Sequence, residues 1–104
     1  MPKFLMVFHG GKAPSSPEEG EKVMAEWMAW YGGMGDAIVD PGNPVGQSHT
    51  VSQSGAVADG GPNPVSGYSI INAADIEAAK AMAAGCPMVK DGSGNVEVAE
   101  AIDM

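Results

Sequence analysis

A chain of 104 residues, 44% of them hydrophobic, has room for one core, and it reads as a single domain over residues 1–104. Thirteen acidic residues against five basic give a formal charge of -8, which repels phosphate backbones and anionic lipid and argues against nucleic acid or a membrane as partner. The lone Cys86 excludes an intramolecular disulfide, and the amino-terminal apolar run, Phe4 to Phe8, is shorter than a signal-peptide core or a membrane span, so the expected compartment is the cytoplasm.

Lys3 to His9 reads as a strand with apolar residues on both faces, Phe4, Met6 and Phe8 on one and Leu5 and Val7 on the other. Two helices can cover only one face, so the other calls for a second copy of the chain, a homodimer. Ser16-Pro17-Glu18-Glu19 is a helix start, with Ser16 as cap, Pro17 in the first turn and Glu19 closing a capping box. Val23, Met24, Trp27, Trp30, Tyr31 and Met34 then recur at helical spacing as the face packed on the sheet, and Gly32 and Gly33 are expected to end the helix. The same Trp27, Trp30 and Tyr31, with Tyr68, are the residues that could wall an apolar ligand pocket.

Asp36 to Val39 is expected as a second strand, Asp40 to Pro44 as a loop, and His49 to Gln53 as a third strand. Ser54 to Ser66 is small and polar and reads as a loop. Gly67 to Pro87 is a strand running into a helix: Tyr68, Ile70 and Ile71 favour the strand, Asn72 and Asp75 can cap the helix, and Gly85 and Pro87 stop it. Ile76, Ala79, Met82 and Ala83 make its buried stripe. After a turn at Lys90 to Gly94, Asn95 to Ile102 alternates as the last strand, with Val96, Val98 and Ile102 on one face. The layout is α+β, a ferredoxin-like β-α-β-β-α-β with one antiparallel sheet and both helices on one face.

Several short motifs in this order, Phe8-His9-Gly10, Ser16-Pro17-Glu18-Glu19, Gly35 to Val39, Asp59-Gly60, Gly67 to Ile71, Asp75 to Ala79, Gly85-Cys86-Pro87 and Gly94 to Val98, resemble the YCII-related proteins of the DGPF type. The resemblance implies a dimeric α/β barrel, in which the sheets of two subunits face one another. Three departures stand out. Asp59-Gly60-Gly61-Pro62-Asn63 replaces the family's Asp-Gly-Pro-Phe, and Ala99 stands where relatives carry a basic residue after Val-Glu-Val. A helix His and an Asp before the second helix's following Pro, attributed to shorter relatives, have Trp27 to Trp30 and Cys86 in their regions.

The remaining chemistry-bearing residues are His9 and His49 at strand ends, where a neutral imidazole could act as general base, with Asp36 or Asp40 to orient it. Structural histidines bonded to backbone or facing solvent are the plainer alternative. No His-x-His or Cys-x-x-Cys spacing supports a metal, and no cofactor is expected. Cys86 at a helix carboxyl end lacks the positive terminus that would activate a thiol. The principal functional expectation is binding of a small apolar or aromatic molecule between the first helix and the sheet. A cofactor-free acid-base enzyme (isomerase, lyase or oxygenase type) on a small cyclic substrate is the alternative, with a regulatory module linked to sigma-factor systems as a third reading.

Overall fold

The computed structural model describes residues 1–104. Its main sheet joins β1 (Lys3–Gly10), β2 (Ile38–Asp40), β5 (Val65–Asn72) and β6 (Gly94–Ala101) in the order β2-β5-β1-β6, every neighbour antiparallel. Two helices, α1 (Pro17–Met34) and α2 (Ile76–Ala84), and the single turn α3 (Pro87–Lys90) complete the α+β, ferredoxin-like layout. Strands β3 (Thr50–Ser52) and β4 (Gly55–Val57) pair only with each other in a separate hairpin. The expected third strand, His49 to Gln53, therefore lies outside the main sheet, and the strand of the Gly67 unit takes its place beside β1. His49 to Gln53 carries a single apolar side chain, Val51, whereas Tyr68, Ile70 and Ile71 give the other strand large apolar residues for both faces of the sheet.

The central strand sets the layers. Phe4, Met6 and Phe8 are buried, and with Ile71, Ala73, Ala79, Ala83 and Cys86 they form the core. On the opposite face Leu5 remains 38% exposed. The molecule measures 43 × 42 × 20 Å, two layers thick, and exposes 6833 Å². A free-standing monomer of this size is expected to expose about 5,500 Å². Its radius of gyration of 14.9 Å likewise exceeds the roughly 13 Å of a compact domain of this length.

Local signals fix the helix starts. Ser16 caps α1 through its Oγ, which accepts from the Glu19 N–H at 3.1 Å. The Glu19 carboxylate reaches back to the Ser15 N–H and hydroxyl, one residue earlier than a capping box requires. Those bonds hold its carboxyl below the usual range. Asp75, rather than Asn72, caps α2, accepting from Ala78 N–H at 2.8 Å.

The ends depart more. Helix α1 runs through Gly32 and Gly33 to Met34 and is closed by Gly35 at φ 53. Helical φ/ψ is open to glycine, but the left-handed closing conformation all but demands it. The following residues, Gly35–Ala37, wind as a 3-10 turn, so the second strand begins at Ile38 instead of Asp36. Helix α2 does stop at Ala84 with Gly85 as its cap, as expected, and Pro87 then opens the separate turn α3. Part of each predicted stripe is exposed: Met24 is 61% exposed on α1, Ile76 is the first residue of α2, and Ile102 lies one residue beyond the end of β6.

Two glycines govern how the layers meet. A Cβ at Gly85 would press on the Trp30 indole at 3.2 Å, so its absence lets the ring sit against the end of α2. Gly42 has φ +72 and lies so close to the Tyr68 carbonyl that a Cβ would overlap it. Replacing Gly42 with Ala is expected to destabilise the fold by roughly 2–4 kcal/mol, since it adds left-handed strain to a backbone collision. Gly46→Ala, with open space around it, should stay within about 0.5 kcal/mol of wild type. Urea unfolding midpoints of the two variants check the contrast.

Candidate functional site

The amphipathic face of α1 brings its rings onto Phe8. Phe8 and Trp27 meet edge to face with centroids 5.3 Å apart, Trp27 and Trp30 at 5.6 Å, and Trp30 and Tyr31 at 5.1 Å. Their polar atoms are already engaged. Trp30 Nε1–H donates to the Met82 carbonyl at 2.9 Å, and the Tyr31 hydroxyl lies 3.0 Å from Ser69 Oγ, which donates to the Pro41 carbonyl at 2.7 Å. Burial raises the Tyr31 pKa above its ordinary value, only partly offset by the Ser69 bond. Three of the four expected pocket residues thus fill the space between α1 and the sheet with one another. The fourth, Tyr68, pairs with Val7 and stands on the opposite face, because alternate residues of β5 point to opposite sides.

That opposite, open face carries the polar cluster. Val7 lies between Tyr68 on β5 and Glu97 on β6, and His9 lies opposite Asn95. Glu97 is therefore the diagonal cross-strand neighbour of His9, within reach of a long side chain. His9 Nε2 is 2.9 Å from Glu97 Oε1, and its Nδ1 is 3.2 Å from the Pro64 carbonyl oxygen. A bulge between Phe8 and His9, which leaves Ser66 as the extra residue of β5, brings the Pro64 backbone over the ring, and His9 is only 7% exposed. Ser66 Oγ is buried there without a hydrogen-bond partner.

Both partners of the imidazole are acceptors. A neutral ring can donate to only one of them, whereas the imidazolium donates to both. Burial opposes the charge, but the Glu97 carboxylate and the Pro64 and Asn63 carbonyls outweigh it, and the His9 pKa is raised. The two side chains differ in access: that of His9 is 9% exposed and that of Glu97 is 70% exposed. From this face the carboxylate is reached first, with the imidazole behind it.

The other expected residues lie apart from this pair. His49 is exposed at the start of the β3–β4 hairpin, and Asp36 is exposed in the 3-10 turn, neither bonded to His9. Asp40 Oδ1 accepts from the Gly42 N–H at 2.8 Å and closes a turn, so it does not orient a histidine. Cys86 is buried, which pushes its thiol pKa up. No group of three His, Cys, Asp or Glu side chains is placed to hold a metal ion. The two principal surface depressions, one beside Lys90 and Asp91 and one along β6 by Val96 and Val98, are shallow and touch neither His9 nor Tyr68. Glu97 escaped the sequence reading because its role depends on β6 pairing with β1. The only signal was its position between Val96 and Val98, which put it on the face away from the core.

A YCII-related domain is matched over residues 4–102. Among solved structures, the chain is similar to 5-chloro-2-hydroxyhydroquinone dehydrochlorinase (TftG) from Burkholderia phenoliruptrix AC1100, in complex with 2,5-dihydroxybenzoquinone. The TM-score is 0.60 at 16% sequence identity, over 98% of this chain and 95% of that one, a likeness of fold. No curated protein matches the sequence. No helix is long and apolar enough to cross a membrane.

The raised pKa of His9 has a signed consequence for stability. The protonated ring is favoured in the folded state, so its contribution is fully present below the unfolded histidine value of 6.5 and is lost as pH rises through the folded value. Wild-type stability in urea should fall as pH rises above about 6.5, and His9→Gln should flatten that fall. An unchanged slope in the variant would show that the pair is not formed.

Proposed function

The chain belongs to the YCII-related family, and on that premise we propose that it is a cofactor-free acid-base enzyme acting on a small hydroxylated ring, with Glu97 as the proton-transferring group and His9 positioning it. One observation supports this above the others: a buried imidazole whose two nitrogens both face acceptors, bonded to a carboxylate left open to solvent. A ring hydroxyl or activated C–H gives its proton to Glu97, and the His9–Glu97 pair passes from neutral to a net charge of +1 beside the anion it has created. The imidazolium then stabilises that anion at short range. Tyr68, Val7 and Leu5 supply the apolar and aromatic floor on which a flat ring lies. The ring substrate class draws on the structural neighbour, a 5-chloro-2-hydroxyhydroquinone dehydrochlorinase in complex with 2,5-dihydroxybenzoquinone. Binding without catalysis under α1 has less support, since the Trp27, Trp30 and Phe8 rings occupy that space.

The open face also supports assembly as a homodimer. The surface in excess of a compact monomer is about 1,300 Å², more than the roughly 800 Å² that each partner buries in a stable interface. Pairing two such faces would enclose the His9–Glu97 pair and exclude water from it. Light scattering at micromolar concentration should give twice the mass of the chain, and the mass of one chain would overturn the assembly.

Screening hydroxylated benzenes and quinones for proton loss or elimination tests the activity. Glu97→Gln should lower turnover by about two to four orders of magnitude, and His9→Gln should lower it while shifting the pH profile. Turnover unaffected by both substitutions would place the chemistry elsewhere.

A further inference from the structure

We infer that the β3–β4 hairpin is an arm with which each copy of the chain grips the other, outside the paired sheets. This inference rests on the homodimer proposed above and adds to it a specific contact surface. The arm grows out of the β2–β5 edge: Pro44 bridges to Gly67, the Val45 N–H donates to the Ser66 carbonyl at 3.0 Å, and the two chains continue to the pairs Thr50–Val57, Val51–Ala56 and Ser52–Gly55. Hydrogen bonds from the Gln47 side-chain N–H to the Ala58 carbonyl and from the Thr50 hydroxyl to the Asp59 carbonyl tie its two limbs together. Beyond its root on β5, the bonds from Gln47 to Asp59 are internal to the arm. Every residue from His49 to Asp59 is exposed, Val51 to 78% and Val57 to 59%.

A two-stranded hairpin that packs on nothing is marginal in water, and ordered strands of this kind are normally held by a third surface. Within one copy no such surface exists. Charge points to where it comes from. From Pro41 to Ala74 the only charged side chain is Asp59, although the whole chain carries thirteen acidic and five basic residues. Two copies at -8 repel one another, so they approach most favourably through their uncharged surfaces, and interface cores are depleted of charge. The arm and the β5 side of the open face are those surfaces, with Glu97 standing on the β6 side. The excess exposed area fits a second copy as the occupant, because it is larger than one sheet face of a standard interface needs.

The base of the arm also meets the site. Its Pro64 carbonyl accepts from the His9 Nδ1–H, so gripping the partner steadies one of the two bonds that hold the imidazolium.

The test is the self-association constant of three proteins measured by sedimentation over nanomolar to micromolar concentration. Val51 and Val57 stand on opposite faces of the arm, so Val51→Ser with Val57→Ser, which removes the apolar side chain from each face, should weaken association by about 10-fold, one lost valine contact, while Met24→Gln on the outer side of α1 should leave it unchanged. A dimer whose association constant is the same with and without the two valines would overturn the arm and leave the sheet-to-sheet dimer standing. A wild-type chain that is monomeric throughout would overturn both. If the double variant loses its circular-dichroism spectrum, hydrogen exchange of the wild type decides. Amides of Thr50 to Val57 that become more protected as concentration rises support the arm, and protection independent of concentration overturns it.

Discussion

The strand Lys3–Gly10 is the constraint on which the other parts depend. It lies between β5 and β6, with hydrogen-bonded neighbours on both sides and apolar side chains on both faces. One face, Phe4, Met6 and Phe8, has a definite solution within the chain: the Trp27 and Trp30 rings and the small residues of α2 close over it. The edge-to-face ring pairs each add about 0.5–1.5 kcal/mol beyond the area they bury, and they need Phe8 where it is. The other face has no such solution. With only two helices of useful length, both spent on one side, Leu5, Val7 and Ile70 look outward, and the proposed dimer follows from that imbalance.

The polar pair sits on the same outward face and inherits its geometry from the same alternation. His9 and Glu97 are both out of phase with the core residues of their strands, so both project away from the helices. Antiparallel pairing then brings them within one diagonal of each other, and the bulge at Phe8 and His9 swings the Pro64 carbonyl over the ring. Without the bulge the imidazole would keep one bond and lie in solvent. With it, His9 is buried between two acceptors, an arrangement in which the cation is the satisfied form. The Glu97 carboxylate, 70% exposed, is bonded through Oε1 to the buried His9 ring.

Charge distribution complements the topology. Most of the acidic residues lie on the helices, on the turn after α3 and on β6, whereas the stretch that includes the arm and β5 is almost uncharged. The nearly neutral surface runs from the arm along β5 and ends at Glu97 on β6. A flat uncharged ring and a second copy of the chain are both compatible with such a surface, and a polyanion is not.

Much of the fold was legible along the chain because its signals are local. Ser16, Pro17 and Asp75 mark helix starts through bonds no longer than one turn, and the alternation in Lys3–His9 and Val96–Val98 fixes which residues share a face. The ferredoxin-like order follows from the succession of those elements. What failed was decided by competition among distant segments: His49 to Gln53 has strand character, but β1 pairs instead with Val65–Asn72, whose Ile71 reaches the core. The site failed for the same reason. His9 was visible as a histidine at a strand end, but its partner Glu97 is 88 residues away, and Pro64 is 55 away. Nothing in a linear pattern sets which acceptors face an imidazole, because cross-strand register and a one-residue bulge exist only once the sheet has formed. The sequence by itself determined which residues could be inside; the tertiary structure decided which polar groups would meet.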